Sequence, residues 1–128
     1  MAGNHGVRRI LIVDDEPSVR DVMATVLLDA GYSVQTAADG RIALQIIDLT
    51  PPDLIITDVM MPHLDGWALL DHAYQRNPSL PVILMSAGDW IRGRRPLPIP
   101  DHAVFLAKPF AVEELLELVG RLTGSPPS

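Results

Sequence analysis

Six side chains stand where chemistry could be done: Asp14, Asp15 and Glu16 in the run ILIVDDEPSV, and Asp58, Ser86 and Lys108 further along. From Asp14 the single positions follow at intervals of 44, 28 and 22 residues. Like charges about 4 Å apart repel by roughly 4 kcal/mol at an effective dielectric near 20, so the three adjacent acids need something to offset them. The run has a plainer reading too, because proline suits the first position of a helix and acids suit its N-terminus. Asp58 could equally cap a turn, Ser86 could cap a helix, and Lys108 could be a solvated surface lysine. What sets them apart is that each follows an apolar run: ILIV at 10–13, LIIT at 54–57, VILM at 82–85 and VFLA at 104–107. Clustered carboxylates suit Mg²⁺, with Mn²⁺ as the alternative, rather than zinc, since the chain has no cysteine and its four histidines are scattered. A carboxylate can also act as a nucleophile toward phosphorus. Metal, ammonium and hydroxyl are the groups that neutralise phosphoryl oxygens. The set therefore points to phosphoryl transfer onto an aspartate.

The elements that must position these groups follow from the apolar pattern. The four runs are continuously apolar, as expected of strands covered on both faces. The more polar, alternating YSVQTA at 32–37 predicts an edge strand. Between them lie helical patterns: Val19, Val22, Met23, Val26 and Leu27, stopped by Gly31; Ile42, Ala43, Ile46 and Ile47, ended by TPPD; Leu69, Leu70 and Ala73, opened by Asp65 or Gly66 and ended by NPSLP; and Val112, Leu115, Leu116, Val119 and Leu122. Strand and helix in alternation predict an α/β doubly wound parallel sheet with right-handed crossovers. In such sheets ligand sites form beyond the carboxyl ends of the strands, where all of the singled-out residues fall.

With VDDEP at 13–17, DVMMPHLDG at 58–66, MSA at 85–87 and KPF at 108–110, the chain resembles the receiver domain of two-component response regulators over residues 8–122. The resemblance implies a flavodoxin-like five-stranded sheet of order 2-1-3-4-5. It implies Asp58 as phosphoacceptor, with Asp15, Asp58 and the Met60 backbone carbonyl as Mg²⁺ ligands and Asp14 acting through water. Lys108 would contact the phosphoryl group, Ser86 would hydrogen-bond it and couple it to a switch, and Lys108–Pro109 would be cis. The implied partner is a sensor histidine kinase or phosphotransfer protein, with an effector that the sequence does not name. On this view the domain catalyses only its own phosphorylation and dephosphorylation and is not an enzyme toward outside substrates.

Two departures stand out. Phe105 occupies a switch position where many receivers carry tyrosine, so it can pack but offers no hydroxyl. Residues 88–101, GDWIRGRRPLPIPD, alternate proline with Leu97 and Ile99, which predicts a shortened or irregular helix between the last two strands. Arg92, Arg94 and Arg95 read as a solvated loop, with a docking patch as the alternative, while Trp90 and His63 read as ordinary packing and loop residues. Competing functions fit less well. A haloacid-dehalogenase-type phosphatase would leave Asp58 unexplained. A flavin carrier wants a Ser, Thr and Gly loop where DDEPS stands, and a phosphorylation-independent scaffold has no use for the acidic set.

The 128 residues predict a single domain, with residues 1–7 and 123–128 as a flexible start and a tail or linker. A net charge of −6 argues against nucleic-acid binding through this domain. No apolar stretch reaches the roughly 20 residues that span a bilayer. MAGNHGVRR lacks a hydrophobic signal region. The expectation is a cytoplasmic protein without membrane contact.

Overall fold

The computed structural model describes residues 8–59, 66–87 and 103–124. Five strands form one parallel sheet: β1 (Arg9–Val13), β2 (Ser33–Ala37), β3 (Leu54–Asp58), β4 (Val82–Ala87) and β5 (Ala103–Lys108), in the order β2-β1-β3-β4-β5. Four helices are present among the described residues: α1 (Pro17–Asp29), α2 (Gly40–Leu49), α3 (Gly66–Arg76) and α4 (Val112–Thr123). The expected flavodoxin-like α/β architecture and strand order are both observed. β2, the polar strand, is at one edge as expected, but β5, read from VFLA as covered on both faces, forms the other edge, with Val104 and Phe105 half-buried and Ala107 exposed because no further strand flanks it.

Continuous apolarity in the strands is explained by the two cores. Leu11, Val13, Ile55 and Leu84 point to one face and pack with Ala43 and Ile47 of α2 and Leu69, Leu70 and Ala73 of α3. Ile10, Ile12, Ile56, Ile83 and Met85 point to the other and pack with Met23 and Leu27 of α1 and Leu115 and Val119 of α4. Alternate side chains of one strand thus serve opposite cores, which favours apolar residues all along the inner strands, the buried Thr57 of β3 being the polar exception.

The helix ends follow local chemistry. Pro17 is the first helical residue of α1, so DDEPSV does open a helix, with Glu16 as an extended N-cap. Asp39 caps α2 by accepting from the backbone N–H groups of Arg41 and Ile42. Gly31, at φ 101°, turns the chain from α1 into β2.

The helical stripes are narrower than the sequence suggests. Val22, Ile42 and Val112 were expected on buried faces and are exposed. Each adjoins or flanks the buried line: on α1 that line is Met23 and Leu27, four apart, and its neighbour Val22 lies about 100° around the helix. Val22 and Val112 instead line a shallow groove between α1 and α4, floored by Met23, Phe110 and Leu115. At the far end of the sheet Asp48 of α2 accepts from Nε of Arg76 of α3 at 2.8 Å and lies 3.4 Å from Nε2 of His72. The Arg76 hydrogen bond, with help from His72, holds the Asp48 carboxyl below its ordinary value. The expected irregular helix in 88–101 falls outside the described residues.

Candidate functional site

Strand register assembles the site. Val13 pairs with Thr57, so Asp14, one residue on, comes beside Asp58. Asp58 pairs with Met85, placing Ser86 one step beyond, and Ala87 pairs with Lys108. Asp14, Asp15 and Asp58 each offer a carboxylate oxygen within 4.8 Å of the others. Glu16, the third acid of the run, is not in that group; it is exposed and contributes its backbone N–H, which donates to Asp14 Oδ1 at 2.9 Å.

Lys108 answers the repulsion. Its ammonium reaches across β4 to donate to Asp58 Oδ2 at 3.1 Å, and lies 3.5 Å from Asp14 Oδ2. Burial alone would lower the Lys108 pKa, but the hydrogen bond and charge of Asp58, with Asp14 beyond, outweigh it and raise it. For Asp14 the balance runs the other way. Its burial raises the carboxyl above the ordinary carboxylate value, although the Glu16 N–H and Lys108 pull it down. Asp14 is fully buried, Asp58 has 15% of its side chain exposed, and Asp15 is open to solvent. A new group can approach Asp15 and Asp58, whereas Asp14 stands behind them. Three hard oxygen donors at this separation fit a small divalent cation held with water.

The remaining expectations divide. Ser86 is buried at the end of β4. Phe105 is half-buried, its ring edge-on to Trp67 with centroids 5.8 Å apart at 70°. The Lys108–Pro109 bond is cis. Met60, His63, Trp90 and the arginines at 92, 94 and 95 lie outside the described residues. Two contributors escaped the sequence reading. Gly66 packs so closely that an added Cβ would sit 2.6 Å from the Asp58 carbonyl oxygen and 2.8 Å from Val59 Cα. Its N–H donates to the Val59 carbonyl at 2.8 Å. The DG step at 65–66 signalled a turn but not this approach. Arg20 donates from one guanidinium nitrogen to the Asp14 carbonyl at 2.7 Å, for which the sequence held no signal beyond an arginine early in a helix.

Comparison with known proteins agrees with this geometry. The family model for the response regulator receiver domain matches residues 10–120. The response regulator MprA of Mycolicibacterium vanbaalenii is 41% identical over 108 residues, covering 84% of this chain and 47% of that protein. The probable transcriptional regulator ycf27 of Cyanophora paradoxa is 41% identical over 112 residues, covering 84% of this chain and 45% of its own. The chain thus spans about half the length of these curated relatives. Among solved structures, the chemotaxis response regulator CheY4 of Vibrio cholerae superposes with a TM-score of 0.82 at 31% identity, covering 91% of this chain and 98% of that one. The receiver domain of NtrX from Brucella abortus gives 0.77 at 34%, covering 90% and 98%. Sheet order, register and sequence relationship together place the chain in the response regulator receiver domain family of two-component systems.

Proposed function

We propose that this domain is a Mg²⁺-dependent phosphoacceptor that takes a phosphoryl group from a phosphohistidine onto Asp58. A carboxylate oxygen of Asp58 attacks phosphorus as the phosphorus–nitrogen bond breaks, and the departing imidazole nitrogen keeps the electron pair and takes up a proton. The observation that carries this reading is the Lys108 ammonium, placed between Asp58 and Asp14 where it can follow the negative charge onto the transferred group. Asp15 and Asp58 would hold the metal directly, joined by the Met60 carbonyl, with Asp14 acting through water. Bound there, the cation would neutralise phosphoryl oxygens and the acids themselves. Ser86 would hydrogen-bond the phosphoryl group at the end of β4 and couple it, with Phe105, to an output surface. Catalysis is confined to the domain's own phosphorylation and dephosphorylation. The donor would be a sensor histidine kinase or phosphotransfer protein in the cytoplasm. Among the described residues no helix is long and apolar enough to cross a membrane.

Burial favours Asp58 over Asp14 as nucleophile and so speaks against a dehalogenase-type phosphatase. Asp14 has no exposed surface, and its two carboxylate oxygens already face the Glu16 N–H and Lys108. The test is incubation with acetyl phosphate or phosphoramidate and Mg²⁺. Wild type should gain one acid-labile phosphate and Asp58→Asn none, while the variant stays folded. Label retained by the variant and mapped to another residue would overturn the assignment.

A further inference from the structure

We propose that Arg20 is a positioning residue for the acidic pocket: it grips the Asp14 carbonyl and so fixes the turn that presents Asp14 and Asp15. The inference rests on the metal-dependent reading above.

Asp14 sits one residue past the end of the β1 ladder. Its N–H still finds a strand partner, the Ala37 carbonyl at 3.2 Å. Its own carbonyl lies beyond the paired residues and accepts instead from Arg20, at 2.7 Å. The Arg20 N–H donates to the Glu16 carbonyl at 3.1 Å, so Arg20 belongs to the first turn of α1. Side chains on a helix lean toward its N-terminus, which aims this guanidinium back over residues 14–16. The Asp14 carbonyl and the Asp15 N–H belong to one rigid peptide plane. Holding the oxygen therefore sets the direction in which Asp15 leaves the strand. The Asp14 side chain is fixed separately by the Glu16 N–H. One contact orients the plane and the other orients the carboxylate, and both acids then face Asp58.

Arg20 forms no ion pair with Asp14, Asp15 or Asp58: its hydrogen bond goes to a backbone oxygen. Charge and position therefore make opposite predictions. A cation near a divalent site opposes metal binding, so if its charge were all that mattered, removing it would tighten Mg²⁺. If Arg20 positions the turn, removing it loosens the ligand pair and weakens Mg²⁺.

The experiment is calorimetric titration of the full chain with MgCl₂. Arg20→Met keeps an unbranched apolar stem and the helix propensity and loses every side-chain donor. It should bind Mg²⁺ about tenfold more weakly than wild type. Arg20→Lys, which can still donate to the carbonyl, should recover part of that loss. In metal-free protein the ¹⁵N-resolved Glu16 amide should shift and exchange faster in Arg20→Met, with the melting temperature reporting an intact fold. Should Arg20→Met not fold, Arg20→Gln carries the same expectation, its shorter amide falling short of the carbonyl. Equal or tighter Mg²⁺ binding by a folded Met or Gln variant overturns the proposal, as does a Lys variant no better than Met. A wild type giving no heat at millimolar Mg²⁺ overturns the metal reading itself, which separates the two failures.

Discussion

Two carboxylate–cation clusters sit at opposite ends of the sheet and are built on opposite terms. At the carboxyl ends of the strands three aspartates bring carboxylate oxygens within 4.8 Å of one another, one lysine contacts Asp14 and Asp58, and Asp14 there is fully buried. At the other end Asp48 meets Arg76 and His72 in the open, with 43% of the Asp48 side chain and 53% of that of Arg76 exposed. The first cluster carries more negative than positive charge and buries part of it; the second is balanced and exposed. Exposed pairs are screened and worth little to stability. Buried, unbalanced charge costs stability, and a fold keeps it for what it can bind.

The contrast can be broken first at the backbone. Gly66→Ala would drive a Cβ into the Asp58 carbonyl and Val59 Cα, so α3 must shift away from β3. We expect a loss of about 2–3 kcal/mol in urea denaturation, with weaker Mg²⁺ binding, although alanine is otherwise the better helix former. An unchanged midpoint would mean that the site tolerates a displaced α3. Next comes Lys108→Ala, which leaves three acids without their cation. Partial exposure discounts the effect to about 1–2 kcal/mol in metal-free protein. Mg²⁺ affinity should hold or rise while phosphorylation or the response to it fails. The Lys108 pKa is raised, so its stabilising contribution is complete below 10.5 and is lost as pH climbs through the folded value. The gap between wild type and variant should close in strong alkali.

Asp14→Asn should go the other way. Because burial raises this carboxyl, the folded chain holds the proton more tightly than the unfolded chain. Stability from Asp14 is therefore highest at low pH and is withdrawn as pH rises from 3.8 through the folded value. At pH 7 the Asn variant should be the more stable in urea denaturation, an advantage that fades in acid. The smallest effect belongs to Asp48→Asn, which should leave the melting temperature unresolved from wild type at about 0.15 M salt. The lowered Asp48 pKa puts its contribution above 3.8, lost as pH falls through the folded value, and any difference should appear only at low ionic strength. A large loss at Asp48 would erase the distinction between the two ends.

Much of this is legible in the amino-acid sequence alone. ILIV, LIIT and VILM announced buried parallel strands because two cores demand mostly apolar residues along them, whereas VFLA, read the same way, forms β5 at the second edge of the sheet, where Ala107 is exposed. The site followed from what stood at their ends. The less legible parts depend on neighbours distant in sequence. Val22 satisfies a three-and-four spacing as well as Met23 does, and only the position of the sheet decides which one is covered. Nothing in DDEPSVR says that Arg20 bends back onto Asp14, or that Glu16 contributes its amide rather than its carboxylate. Gly66 reads as a turn residue, and its approach to Asp58 emerges only when α3 is laid against β3.

Trp67 follows Gly66 directly, so its backbone is anchored to the end of β3, while its indole meets Phe105 of β5 edge-on. The consequence is optical. Two aromatic rings locked at a fixed, oblique angle produce near-ultraviolet circular dichroism. A half-buried indole also tunes its emission wavelength to its surroundings. Any sliding of α3 against β5 would alter both signals. The polypeptide thus contains an intrinsic spectroscopic reporter of how α3 packs against β5, readable without a dye.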